Sequence, residues 1–544
     1  MRYLSENKRE DMRMKKRTAA RSMAALMGAA MVLTACGGGN TTAPTTGASS
    51  GGETQTASES AESGKITKTD IVVGQASDIV TLDPAGQQDT TSGVLMKHAY
   101  STLLDVDNEG KVVPDLAESY EMKSDTEYVF KLREDACFWD GTPVTAQDVK
   151  FSLDRAKGMP KTKSNTSKIE EVTVNGDHEV TIKLTEPYAA FKTIVTQHNL
   201  SILSEKAVTE AGDSYGDVDN LLGSGPFKVT EWVPNDHYTL VRNDNYWGEM
   251  PIATSITCRV IPEGSARTIA LEAGEIDVVW SVDPTDCANV ESNPDVKLLS
   301  QPSTGIDYVG MNTQKEKFSD KRVRQAINYA LDKQTFVDTI IEGRGLVANS
   351  YINAAIPGWT DEVEAYPYDP EKAKELLAEA GYPDGFECSI FVNGDLRTRS
   401  AQILQAQLAD VGIKVDISTY EWGALLDTLN AGEHEMFLLG WSNTSFDPDG
   451  STYQLFYSGN HGATGNRAFF SNDKVDELIL SAQRESEESK RMELYKELQF
   501  VLHEESPWCP LYYKENNVGV RADLKGFTLH ASAQHYLGNC HYEE

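Results

Sequence analysis

Cysteine is scarce in this chain of 544 residues: there are seven, and no two form a C-x-x-C pair. Zinc ribbons and thioredoxin-like redox chemistry are thereby excluded. Histidine is nearly as sparse. The ten residues never cluster at metal-ligand spacing, and no H-E-x-x-H occurs. A glycine-rich phosphate loop is missing, and Gly223-Ser224-Gly225 lacks the spacing of a nucleophile elbow. Asp105-Val106-Asp107-Asn108-Glu109-Gly110 begins like a calcium loop. Its twelfth position is Leu116 and Pro114 sits at the tenth, so the bidentate ligand is absent and a turn between two strands is expected. Nothing in the pattern asks for a metal or cofactor, and the expectation is a protein that is not an enzyme. Positive charge is also in deficit, with 50 Lys and Arg against 83 Asp and Glu, a net charge of −33. Nucleic acid, which is held by basic surface, is an unsuitable partner. Long apolar runs are missing too: Met23 to Val32 is too short to span a bilayer.

That short apolar stretch has a context. Lys15, Lys16, Arg17 and Arg21 precede it, and Leu33-Thr34-Ala35 leads from it to Cys36. A basic head, a short apolar body and a small residue before the cut describe a secretory signal peptide over residues 1–35. A cysteine placed directly after Leu-Thr-Ala resembles the lipobox of bacterial lipoproteins, which implies a diacylglyceryl group on the Cys36 thiol. Residues 36–65 then follow as a lipidated cysteine and tether, almost entirely Gly, Thr, Ser, Ala, Gln and Glu. Such a composition cannot bury enough surface to fold. The expected location is the extracytoplasmic face of a cell membrane, or the periplasm, with acyl chains as the anchor.

About 480 residues remain after the tether, too many for one ordinary core. Their pattern is mixed α/β. Tyr128, Phe130 and Leu132 alternate with polar residues, as do Val180, Ile182 and Leu184, and Tyr238 with Leu240. Ile71-Val72-Val73, Ile276 to Trp280 and Met436 to Leu439 are compact apolar runs that read as buried strands. Asp369-Pro370 opens a helix as cap and first-turn proline, Ala373, Leu376 and Leu377 give it an apolar face, and Gly381 closes it. Val323 to Leu331 forms another helix. Ile403, Leu404 and Leu408 mark a third, ended by Gly412 before the alternation of Ile413, Val415 and Ile417. Alternating strands and helices favour α/β lobes with parallel sheet. Of the remaining cysteines (Cys137, Cys258, Cys287, Cys388, Cys509 and Cys540), Cys509 with Cys540 is a candidate bridge, and buried free thiols are the alternative.

Five ordered segments carry a resemblance. They are Tyr128 to Arg133 with Phe138-Trp139-Asp140-Gly141-Thr142-Pro143 and on to Ser152; Gly223-Ser224-Gly225-Pro226-Phe227 with Asn243 to Gly248; Val323 to Lys333; Tyr368 to Tyr382; and Gln405 to Ile413. Together they resemble the extracytoplasmic solute-binding proteins of peptide/nickel ABC importers, the oligopeptide- and dipeptide-binding family 5. The resemblance implies a two-lobed periplasmic-binding-protein-like clam-shell, type II-like, with an additional α/β domain. Lobe I would comprise 66–103, 222–305 and 506–544, the additional domain 104–221, and lobe II 306–505. It implies a monomer that captures short peptides or peptide-like solutes and delivers them to separate ABC permease and ATPase subunits. A same-fold receptor for nickel chelates, haem, glutathione, oligosaccharides or opines is the alternative within the family; a surface enzyme or adhesin is the alternative outside it.

Site residues follow from the same resemblance. The family usually places an acid for the ligand's amino group three residues after a Gly-Trp pair. Here Gly440-Trp441-Ser442-Asn443 leads to Thr444, and an acid arrives only at Asp447. Trp441, Asn443, Thr444 and Asp447 are the candidates on that loop. A carboxylate-binding arginine is expected before the Ile403 helix, with Arg399 the first choice and Arg397 the second, since a guanidinium grips a carboxylate by two parallel bonds. Tyr308 is a candidate on a ligand-facing strand, or else a core residue.

Overall fold

The computed structural model describes residues 65–544. The signal peptide, Cys36 and the tether lie outside the described residues. Among the described residues no helix is long and apolar enough to cross a membrane.

One twelve-stranded mixed sheet runs through the body. Its first part orders the strands Phe227–Val233, His237–Arg242, Ser255–Val260, Asp70–Gln75 and Val278–Val279. Its second part orders Gly305–Met311, Met436–Ser442, Phe386–Val392 and Ile413–Thr419. Trp508–Arg521 joins the two. Its early residues pair with Gly305–Met311, and its later ones pair with Val296–Pro302 from Glu515 to Arg521. The chain therefore crosses between lobes twice, at Ser303-Thr304 and in the middle of this strand. The strand lies astride the two lobes, so the expected division at 505/506 falls before Trp508, which still belongs to the second lobe's sheet. The crossings are tied together: Ser303 Oγ donates to Lys514 O (2.7 Å) and Asn516 Nδ2 donates to Ala531 O (2.9 Å).

The sheet is less parallel than the alternation suggests. Asp70–Gln75 is parallel to both neighbours, as is Phe386–Val392, while the remaining pairings are antiparallel. Tight hairpins such as Val233 to His237 require that. Burial explains the residue choice. Every residue of Gly305–Met311 is buried, because helices cover both faces of the second lobe's sheet. Alternate side chains feed separate cores, with Val309 and Met311 on one side and Ile306 and Tyr308 on the other. The helix Pro370–Glu379 begins as its cap dictates, Asp369 accepting from Lys372 N at 2.9 Å. Gly394–Ala409 ends before Gly412, whose φ of 90° suits glycine.

A separate antiparallel sheet, ordered Ala117–Ser124, Glu127–Leu132, Glu179–Leu184 and Ile169–Gly176, builds the additional domain around Phe130, Phe138, Val149 and Ile182. The calcium-like segment is a turn: Asp107 Oδ1 accepts from Glu109 N and Lys111 N between two short strands. Gly223 and Gly225 are architectural. A Cβ on either would lie within 2.5 Å of the backbone of Ala99. The bridge suggested for Cys509 and Cys540 does not form, because each thiol is buried in the core of a different lobe; six free cysteines occupy the described residues.

Candidate functional site

The lobes and the additional domain together line a partly open cavity of about 380 Å³. The first lobe contributes Gln88, Asp89 and Trp280, and the additional domain Gln197 and His198. The second lobe brings Arg397, Trp422, Trp441, Thr444 and Arg467, and the bridging strand its polar centre Lys514-Glu515-Asn516-Asn517. The walls thus combine indoles and charged or amide side chains with aliphatic ones such as Ile341, Leu396 and Leu439, a lining suited to a polar solute with some apolar surface.

Helix geometry separates the two candidate arginines. Residues two apart on a helix point about 200° apart, so one of Arg397 and Arg399 can face the cavity and the other cannot. Arg397 is the one that lines it. Its Nη1 donates to Asn393 Oδ1 (2.7 Å), its guanidinium stands 5.8 Å from the Trp422 ring, and its buried Nε has no partner. Asp307 is its neighbouring acid, 4.0 Å away, but is engaged more closely by Lys514 at 2.8 Å. Arg399 is instead spent across the cleft on Asp283 of the first lobe, at 2.8 and 3.0 Å. Burial opposes the Asp283 charge, but hydrogen bonds from Thr285 and Arg399 outweigh it and hold its carboxyl below the usual range. A second bridge between the lobes joins Arg344 to Glu291 (2.7 Å). Arg399 therefore ties the two lobes to each other in this conformation. Its side chain is 36% exposed, and such pairs contribute about 0–1 kcal/mol. Arg399→Ala is expected to weaken solute binding no more than about fivefold, with scattering showing a more open solute-free ensemble; a loss as large as that of Arg397→Ala would refute this division of labour.

The loop after Trp441 divides likewise. Trp441 and Thr444 line the cavity. The Trp441 indole donates to Gly450 O (3.0 Å), and Thr444 Oγ1 donates to Gln197 Oε1 of the additional domain (2.6 Å). Asn443 is buried and braces the loop through Asp447 O and Ser451 Oγ. Asp447 faces away, held by both terminal nitrogens of Arg491 at 2.9 and 2.5 Å. Tyr308 is a core residue whose ring stacks on Trp508 with centroids 3.4 Å apart. Of the seven candidates, the structure brings Arg397, Trp441 and Thr444 together at the cavity.

Three further residues stand there. Asp89 caps the helix Thr90–Ala99, its Oδ1 accepting from Ser92 N (2.9 Å), while its buried Oδ2 has no partner. Burial raises its pKa above the ordinary carboxylate value despite the Ser92 bonds. The Asp-Thr-Thr-Ser cap was visible in sequence as a helix start, not as a free acid. The Trp422 indole lies beside Asp89 and helps to lower its pKa, although it makes no bond of good hydrogen-bond geometry. Arg467 was signalled only by being a cation in an otherwise apolar and small run, Gly465-Asn466-Arg467-Ala468-Phe469-Phe470. Among the described residues no group of His, Cys, Asp and Glu is arranged to hold a metal ion.

Known proteins share this sequence pattern and fold. Residues 111–463 match the model of the bacterial extracellular solute-binding proteins, family 5 middle region. The chain is 32% identical over 479 residues to the glutathione-binding protein GsiB of Escherichia coli O157:H7, covering 85% of this chain and 92% of that one. It is 30% identical over 470 residues to the dipeptide-binding protein of Escherichia coli K12, covering 80% and 86%. The solved structure of the ABC transporter-associated periplasmic binding protein DppA from Helicobacter pylori, in complex with the peptide STSA, superposes with a TM-score of 0.84 at 28% identity, covering 88% of this chain and 99% of that one. With the family model spanning most of the folded body, the chain belongs to the bacterial extracellular solute-binding proteins of family 5, the substrate-binding proteins of ABC importers.

Proposed function

We propose that this protein captures short peptides or peptide-like solutes outside the cytoplasm and presents them to an ABC permease and its ATPase. In this reading Cys36 carries the lipid that keeps the receptor beside its pore, and the tether of residues 37–65 gives it reach. One observation carries the choice of solute: an acid and a guanidinium from opposite lobes line one cavity, Asp89 with no cation of the described residues within ion-pair distance and Arg397 with no acid closer than 4.0 Å. A zwitterion supplies what both lack. Its ammonium would meet Asp89 on the first lobe and its carboxylate Arg397 on the second, so a bound solute contacts both halves and favours the shut state. Once closed, the cavity leaves no water to replace a missing partner, which makes the charged ends selective.

Calorimetry with Ala-Ala, its N-acetyl derivative and its C-terminal amide tests the assignment. The free dipeptide is expected to bind and each blocked form to bind at least about tenfold more weakly, the loss of a charge-assisted hydrogen bond. Asp89→Asn is expected to remove the discrimination against the acetylated form alone. The bound peptide should be recovered intact; hydrolysis would make the protein an enzyme, and equal binding of all three forms would discard the charged-end reading.

A further inference from the structure

Arg467 is the most deeply buried cation at the cavity, only 6% exposed. Its Nε donates to Asn430 Oδ1 (3.0 Å), and its carbonyl accepts from His434, so the residue is braced from behind. No carboxylate of the described residues lies within the 4.0 Å of an ion pair with it. Lys161, on the additional domain, has no such partner either. Burial pulls the pKa of both groups down; Tyr308 and then Asp89 oppose this for Arg467, and Asp89 and then Asp427 oppose it for Lys161. Asp89 thus already serves Arg467 as well as Lys161, which it shares with Asp427. If a ligand ammonium takes the Asp89 carboxylate, Arg467 is left beside a second cation with no acid at ion-pair distance. A buried charge in that position needs an anion. Arg397 does not supply the remedy, since it sits with Asp307 and Lys514 at the bridging strand rather than beside Asp89.

We infer that Arg467 is a second anion-recognition point in this cavity, so that the preferred solute is an acidic peptide or peptide-like molecule bearing a carboxylate in addition to its terminal ammonium and carboxylate. The inference rests on the zwitterion reading above and narrows it. Lys161 is near enough to feel the same field, and the Asn430 brace holds the guanidinium without neutralising it.

The test uses alanine di- and tripeptides carrying Glu or Gln at each position in turn, a pair that differs in charge and scarcely in shape. The wild-type protein is expected to bind at least one Glu peptide about tenfold or more tightly than its Gln twin. In Arg467→Gln that ratio should collapse to about one, and Arg467→Lys should keep part of it. Should Arg467→Gln fail to fold, Arg467→Lys decides instead: a Glu-over-Gln ratio equal to that of the wild type would refute the assignment, and a reduced one supports it. Free peptides that bind without any Glu-over-Gln preference would overturn the second anion point and leave the receptor reading intact. A protein that binds none of the peptides would overturn both. A preference that survives Arg467→Gln unchanged would move the anion point to another cation and refute the assignment.

Discussion

Arg491→Met is expected to remove about 3–5 kcal/mol of stability, the loss typical when one partner of a buried ion pair is deleted. Urea unfolding of the solute-free protein measures it. Both nitrogens of the guanidinium fork hold Asp447, and both side chains are almost wholly enclosed. Asp449 lies next to them. Its Oδ2 accepts from Tyr188 of the additional domain (2.6 Å), and its Oδ1 from Gln483 (2.9 Å). Methionine fills much of the volume but leaves two buried carboxylates with no cation. The pH dependence follows. Burial, and then the nearby Asp447, push the Asp449 pKa from 3.8 up to about 6. An acid raised on folding contributes stability that is fully present below its unfolded pKa and lost as pH climbs through the folded one. The wild-type protein should therefore lose stability through this group between about pH 4 and pH 6, and Asp449→Asn should flatten that interval. In Arg491→Met the interval should extend upward, since the Arg491 charge that lowers the Asp449 pKa is gone. A Met variant as stable as the parent would show that the pair serves the loop's geometry alone.

This cluster also shows where sequence reasoning stops. Asp447 follows a Gly-Trp landmark in the expected family order, and position alone makes it a ligand contact. The partner that turns it away lies 44 residues downstream, and nothing local announces it. Arg397 and Arg399 were legible as a pair at a helix start; which of them faces inward depends on the helix's rotation, set by Leu404 and Leu408 packing into the core. The capped helix from Pro370, the alternating strands of the additional domain and the Gly412 stop were all readable, because each is fixed by neighbours within a few residues. Trp508–Arg521 was not. Its apolar beginning reads as the start of one lobe's last strand, yet it pairs first with the other lobe, and its polar middle lines the cavity. Asp89 and Arg467 were hidden for a related reason. One appears as an ordinary cap and the other as a stray charge until three distant stretches of chain enclose them.

Arg397→Ala is expected to weaken binding of a peptide with a free C-terminus by about 100-fold or more, roughly 3 kcal/mol, the scale of losing one partner of an enclosed charge pair. The guanidinium is held for this task by Asn393 below and Trp422 alongside, so little ordering remains when a carboxylate arrives. Calorimetry on the variant gives the loss, and the C-terminal amide of the same peptide gives the control. If Arg397 meets the carboxylate, the variant should bind acid and amide alike, and the coupling between substitution and amidation should account for most of the effect. Arg397→Lys should fall between, because an ammonium keeps the charge without the two-pronged grip. An equal loss for acid and amide would instead assign Arg397 to shaping the wall with Trp422. The comparison with Arg399→Ala then separates recognition from closure: one substitution acts on the bound solute's charge, the other on the balance between open and shut, and only the first should depend on which end of the peptide is blocked.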